Sequence, residues 1–245
     1  GDNEDYVAII RAMLVREKLY KSTRVKIPVV TYLRKQVYKW MLSVVDFHRL
    51  ERETATIAIS YLDRYVNRHI KGAACNDAVR YRFLGMVSLY IAAKINEPIP
   101  FSARSISVLS KRRYSVDDVV ACENEILEGL DWLLHGPTPH GFISYWLALI
   151  PRDSSLARFA SQVYANSIRE VESITGYPGS NSMYSSKLAA RALSKSIDGL
   201  SLLSSDEKVE FLRVVYKTMD ISTISVSVQS SHIDACRVSL FRNKS

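Results

Sequence analysis

The sequence predicts an all-α protein built from two helical bundles in tandem. Apolar residues recur at intervals of three and four along most of the 245-residue chain, which is the spacing of amphipathic helices. No stretch alternates convincingly between apolar and polar residues, so no strand is predicted. The stretch GPTP, residues 136–139, separates two sets of helical patterns of similar number and length. These observations favour stacked helical bundles over a sheet.

The stretch GMVSLYIAAKINE, residues 85–97, predicts the helix around which the first bundle packs. One face is apolar, and small residues cover much of the remaining surface. Small side chains let neighbouring helices approach closely on more than one side. We therefore expect a central, buried helix, ended by the prolines at positions 98 and 100.

The other helices of the first half are predicted from apolar spacing and from capping residues. They are a short helix at 5–20, one following an N-cap at Thr31, one at about 53–67, the central helix from near Asn76, a short one at 103–109, and one capped by Ser115. Asp117 and Asp118 fall in the first turn of this last helix, where the helix dipole favours acidic side chains.

The second half repeats the helical pattern without a residue-level repeat. Helices are predicted near residues 139–150, 154–174, 182–197, 205–219 and 226–241. We divide the chain into an N-terminal helix and lead-in (1–30), a first fold (31–135) and a second fold (136–245).

The composition is typical of a globular protein of a reducing compartment. Apolar residues make up 47% and charged residues 24%, and no apolar run approaches the length of a membrane span. The three cysteines, Cys75, Cys122 and Cys236, are far apart and form no CxxC motif. We expect an intracellular protein, nuclear or cytoplasmic, with no membrane partner.

The sequence contains no recognisable enzyme motif. Phosphate-binding glycine loops, HExxH and GxSxG are absent, and the five histidines have no metal-ligand spacing to a cysteine. We therefore predict no catalytic residue, no metal and no cofactor.

Two opposite charges interrupt the apolar faces of two predicted helices. Lys94 extends the apolar stripe of the central helix, and Glu123 lies three or four residues from apolar neighbours on the helix capped by Ser115. They could pair and keep the helices in register, or they could lie at the rim and bind the backbone of a partner. The spacing alone favours the structural pair.

Arg34 and Asp63 repeat this theme on the two helices that precede the central one. Arg34 is three residues before Val37, and Asp63 is four residues after Ile59, so each charge lies on an apolar face. We predict a structural Arg–Asp bridge between these helices.

Four segments carry the most specific pattern in the chain: LRKQVYKWMLSVV (33–45), ETATIAISYLDRYV (53–66), GMVSLYIAAKINEPIP (85–100) and SVDDVVACENEILEGLDWLLHGPTPHGFISYWL (115–147). In order and spacing they resemble the cyclin box, with D-type cyclins of the division cycle the most similar. The resemblance implies two tandem five-helix cyclin folds with a flanking N-terminal helix. It also implies a non-catalytic regulatory subunit that binds and activates a cyclin-dependent serine/threonine kinase as a heterodimer.

The resemblance also implies roles for particular residues. Lys94 and Glu123 match the family positions that clamp the kinase backbone, and Arg34 and Asp63 match an internal bridge. The family's substrate-docking patch matches the residues Leu33, Gln36, Trp40, Tyr81 and Arg82. Gln36 replaces an aliphatic residue and Ser43 stands in place of an acid, so we expect weak docking of RxL-type substrates or inhibitors.

A DNA-binding protein of the same helical class, like the core of general transcription factor B, is the alternative. The net charge of +8 agrees with such a function. However, the basic residues are spread along the helices, whereas a DNA-binding surface concentrates them in one stripe. We therefore expect no nucleic-acid partner.

Overall fold

The structure is a computed structural model that describes residues 2–21, 28–69, 77–177 and 179–219. Within these ranges it contains α-helices and short 3₁₀ turns and no strand, which confirms the all-α prediction. The α-helices are α1 (Asp2–Arg16), α2 (Pro28–His48), α3 (Arg52–His69), α4 (Ala78–Asn96), α5 (Ala103–Leu109), α6 (Val116–Gly129), α7 (Pro139–Ala148), α8 (Ala160–Thr175), α9 (Ser185–Asp198) and α10 (Ser205–Thr218).

The helix boundaries follow the capping chemistry in most places. Ser115 caps α6 in a capping box, because its Oγ accepts from the amide of Asp118 and the Asp118 carboxylate accepts from the Ser115 amide. The predicted N-cap at Thr31 is wrong, since α2 begins at Pro28, a residue type that tolerates the first helical position. A 3₁₀ turn delays the start of α8 to Ala160. The helix predicted at 226–241 lies outside the described residues.

The described residues divide into two compact units. Unit I spans 19–136 and 174–183 and contains the five helices α2–α6. Unit II spans 2–18, 137–173 and 184–219 and contains α1, α7, α9, α10 and most of α8. The N-terminal helix therefore belongs to the same unit as the helices of the second half. The sequential limits at 30 and 135 remain a prediction.

Helix α4 is the centre of unit I. It packs against α2, α3, α5 and α6, and residues 85–93 are buried apart from the half-buried Met86. A Cβ atom added at Gly85 would lie only 2.5 Å from Val37 Cγ1 of α2. The small residue thus permits the close helix approach that the sequence predicts.

In unit II, a side chain near the N-terminus caps a helix that begins much later in the sequence. Helix α1 packs on α7 and α10, and the 3₁₀ turn that follows α1 carries the buried Glu17. Glu17 Oε2 accepts from the Ser186 amide at 3.0 Å, and its Oε1 accepts from Ser186 Oγ at 2.6 Å. The start of α9 has no capping bond from its own N-cap side chain, so Glu17 supplies one from 169 positions earlier in the sequence.

Candidate functional site

The candidate partner site is a charged pair that bridges two helices of unit I. Lys94 lies in the last turn of α4, and Glu123 lies in the middle of α6. Lys94 Nζ donates to Glu123 Oε1 over 3.0 Å. The lysine side chain is 53% exposed whereas the glutamate side chain is 8% exposed. The ammonium therefore faces solvent, and the carboxylate lies beneath it.

The environment keeps the Lys94 ammonium charged. The hydrogen bond to Glu123 raises the pKa of Lys94 above its ordinary value, and this effect exceeds the opposing effect of partial burial. The ring of Tyr90, one turn earlier on α4, lies 5.6 Å from Nζ. The pair consequently offers a fixed positive group at the surface with a negative group directly behind it.

An apolar surface continues from Glu123 toward the start of α6. Val116, Val120 and Glu123 are separated by four and three residues, so they lie on one side of the helix. Val116 is 42% exposed and Val120 is 41% exposed. The apolar spacing of this helix predicts that both Val119 and Val120 face the core. Val119 is fully buried, but Val120 is exposed, so the prediction is wrong for Val120.

Arg34 and Asp63 form a buried ion pair between α2 and α3. The Nε atom of Arg34 lies 2.8 Å from Asp63 Oδ1, and Nη2 lies 2.9 Å from Oδ2, so the hydrogen-bonded contact is bidentate. The remaining nitrogen, Nη1, donates to the carbonyl oxygen of Thr175 at 2.5 Å. The two side chains are only 6% and 7% exposed.

The residues that match the family's docking patch differ in exposure. Leu33 and Tyr81 are buried, Trp40 is half-buried, and Gln36 and Arg82 are exposed. Arg82 Nη2 lies 3.5 Å from Gln36 Oε1, which places this edge of α4 beside α2. The exposed part of the patch is thus polar, and its apolar members are largely covered.

Neither a metal-binding cluster nor a membrane-spanning helix occurs in the described residues. Within the described ranges, no group of three or more His, Cys, Asp or Glu side chains could hold a metal ion. None of the helices in the described part of the chain is long and apolar enough to cross a membrane.

The sequence patterns missed two buried charged residues, Glu17 and Arg64. Glu17 closes a short N-terminal pattern and meets its partner only through the tertiary fold. Arg64 follows Asp63 directly and gave no periodic signal as a buried residue, yet it is 3% exposed. A charge next to a predicted bridge is the signal that could have drawn attention to it.

The described residues thus form two compact helical units, one of which carries the surface charge pair. The family model described as "Cyclin, N-terminal domain" matches residues 9–135, which is more than half of the chain. The chain belongs to the cyclin family.

Similar proteins support the same assignment. The G1/S-specific cyclin-D1 of Danio rerio is 27% identical over 207 residues, covering 81% of this chain and 67% of the relative. A viral cyclin from Herpesvirus saimiri shares the fold with a TM-score of 0.62 at 17% identity, covering 87% of this chain and 97% of the viral one. A chain of the CAK complex from Chaetomium thermophilum bound to ATP-gamma-S shares it with a TM-score of 0.51 at 18% identity, covering 97% and 72%. The resemblance to D-type cyclins and the cyclin fold class are confirmed.

Proposed function

We propose that this chain is the regulatory subunit of a cyclin-dependent serine/threonine protein kinase, which it binds and activates as a heterodimer. It contributes no catalytic group of its own and acts inside the cell, in the nucleus or the cytoplasm. Family membership supports the class of function. The observation that carries the assignment of the site is the Lys94–Glu123 pair, whose ammonium faces solvent at the edge of α4.

The pair can recognise a segment of backbone in both polarities. The Lys94 ammonium donates to carbonyl oxygens of a partner chain, and the Glu123 carboxylate accepts from backbone amides when Lys94 turns toward the partner. Charge-assisted bonds of this kind are worth about 1.5–3 kcal/mol each once water is excluded. One short kinase segment would thus replace the contact between the two side chains.

The neighbouring apolar residues supply contact area for the kinase. Val116 and Val120 are exposed on the side of α6 that also bears Glu123. In interfaces, most of the binding energy comes from a few central residues, and the surrounding contacts exclude water. We assign the central role to the charged pair and the surrounding role to the valines.

Activation then follows from differential affinity. A rigid surface made by α4 and α6 binds best to the kinase conformation whose own elements fit it. Binding therefore increases the population of that conformation without any chemistry on this chain.

The test is calorimetric titration of a cyclin-dependent kinase with Lys94→Ala and Glu123→Ala. Each variant should weaken association at least tenfold, about 1.4 kcal/mol. Unit II offers a matched control pair, Lys195 and Glu170, which lie 2.6 Å apart with side chains 61% and 17% exposed. Lys195→Ala and Glu170→Ala should bind like the parent.

Thermal melts of the same variants separate binding from folding. Lys94→Ala and Glu123→Ala should retain a cooperative melt and still lose affinity. If both bind the kinase like the parent, the pair is structural and the site assignment fails. If both lose their fold, the pair serves only to keep α4 and α6 in register.

Family membership does not favour the DNA-binding alternative. A gel shift with duplex DNA at several salt concentrations decides it. A DNA-binding protein would retard the duplex, and retardation would weaken steeply with salt. We expect no specific retardation.

A further inference from the structure

Arg64 is a buried guanidinium with unused hydrogen-bond donors. The residue is 3% exposed, and its Nε and Nη2 atoms have no hydrogen-bond partner in the part of the chain that the structure describes. A guanidinium carries its charge at every physiological pH. Buried charged donors almost always find an acceptor, so an unpaired pair of such atoms calls for an explanation.

In the same unit, Arg34 has the same donor atoms with a carboxylate bound to them. The Nε and Nη2 atoms of Arg34 donate hydrogen bonds to the two carboxylate oxygens of Asp63, at 2.8 and 2.9 Å. These two N–H groups point in parallel and match the spacing of a carboxylate. In Arg64 the same two atoms are the ones without partners. Arg64 thus presents the edge to which Asp63 binds on Arg34.

A second guanidinium and a single acid contribute to the charge around Arg64. Arg68, one turn later on α3, pairs with Asp131 at 2.8 Å. Burial lowers the pKa of Arg64, and the positive charge of Arg68 adds to this effect, whereas the negative charge of Asp131 opposes it. Among these three residues, two guanidinium groups therefore share a single acid, which Arg68 already binds.

Tyr20 covers the guanidinium of Arg64. The centre of its ring lies 4.9 Å from the Arg64 Cζ atom. A Cβ atom at Gly136 would lie 2.7 Å from Tyr20 Cδ1, so the ring also packs directly on the Gly136 backbone. Tyr20 is the last residue of a 3₁₀ turn and is half-buried. Because Tyr20 ends this turn and lies outside the α-helices, a rotation of its side chain breaks no α-helical hydrogen bond.

We propose that the Nε/Nη2 edge of Arg64 is a carboxylate-binding site, which takes one acidic side chain of a protein partner after the Tyr20 ring turns away. The carboxylate accepts both N–H groups side by side, as Asp63 does from Arg34. This site uses none of the residues assigned to kinase binding, so it stands or fails independently of that proposal.

The test begins with acetate as the probe, at constant ionic strength against chloride. The side-chain Nε–H signal that Arg64→Met removes from the NMR spectrum should shift saturably with acetate. The Nε–H signal of Arg34, whose carboxylate partner is already in place, is the internal control and should not move. At about ten times its dissociation constant, acetate should lower the unfolding constant about tenfold and raise Tm by a few degrees.

Two variants complete the experiment. Arg64→Met should lose the acetate-dependent rise in Tm, and Tyr20→Ala should bind acetate more tightly because the ring no longer has to be displaced. A short peptide with a single glutamate should compete with acetate, and its glutamine counterpart should not.

An unmoved Arg64 signal in both the parent and Tyr20→Ala would overturn the proposal. Inorganic phosphate that binds where acetate does not would overturn the assignment to a carboxylate. If Arg64→Met does not fold, Arg64→Lys identifies the signal instead, because lysine also lacks the Nε–H group of arginine, and the acetate shift and the Tyr20→Ala comparison still decide the question.

Discussion

The change Asp63→Ala should be among the most destabilising in unit I. It removes the acceptor for two donors of Arg34, Nε and Nη2, which lie 2.8 and 2.9 Å from the Asp63 oxygens. The guanidinium stays buried, because its Nη1 atom remains bound to the Thr175 carbonyl oxygen and the side chain is only 6% exposed. Breaking a buried pair on one side costs about 3–5 kcal/mol, since an uncompensated charge is left behind.

The chain provides a matched control. Arg52 and Asp46 form an ion pair of 3.0 Å with side chains 44% and 52% exposed. Exposed pairs contribute roughly 0.2–1 kcal/mol, because water solvates either charge when its partner is removed. Asp46→Ala should therefore lower the free energy of unfolding by less than about 1 kcal/mol.

The assay is urea unfolding of Asp63→Ala, Arg34→Met and the double variant, with Asp46→Ala beside them. The double variant buries no unpaired charge, so it should be more stable than Asp63→Ala alone. Equal losses for Asp63→Ala and Asp46→Ala would refute the argument, because burial would then make no difference. Additive losses in the double variant would mean that the two side chains do not interact.

Three further predictions concern single positions. Burial raises the pKa of Glu17 above its ordinary value of 4.5, and this effect exceeds the lowering by the hydrogen bonds from Ser186. The folded state therefore keeps the Glu17 proton up to a higher pH than the unfolded state does. Stability should therefore fall as the pH rises above 4.5. Glu17→Gln should remove this decline in melts recorded from acid to neutral pH. Parallel curves of Tm against pH for the parent and the variant would contradict the prediction. Ser115→Ala removes the cap of α6 and should cost about 1 kcal/mol in denaturant unfolding, whereas no loss would mean that water replaces the cap. RxL-type peptides should bind weakly in fluorescence titrations, because Gln36 and Ser43 replace an apolar wall and an acid; micromolar binding that Trp40→Ala abolishes would show otherwise.

Local chemistry accounts for much of unit I. Apolar spacing gives the helices, and α5 has the bounds that the spacing predicts. Ser115 and Asp118 cap α6 through atoms three residues apart, so this contact needs no tertiary information. Gly85 marks the place where α2 and α4 meet, because only a residue without a Cβ atom permits that distance.

The candidate site was only partly predictable. Spacing placed Lys94 and Glu123 on core-facing stripes, and this suffices to predict that the two can meet. It could not predict that the lysine is half exposed while the glutamate is buried. Exposure depends on where the neighbouring helices end, and a periodic pattern along one helix contains no such information.

By itself, the sequence determined the helical class, the central helix, the family resemblance and the face on which each charge of the Arg34–Asp63 bridge lies. Only the tertiary structure decided which charged side chains meet a partner far along the chain and which donor atoms have none. Glu17 caps a helix that begins far along the chain, and Arg64 is buried without an acid beside its Nε and Nη2 atoms. The reason is physical: apolar burial repeats with the helix period and can be read locally, whereas an ionic contact depends on the position of one atom relative to another after the chain has folded.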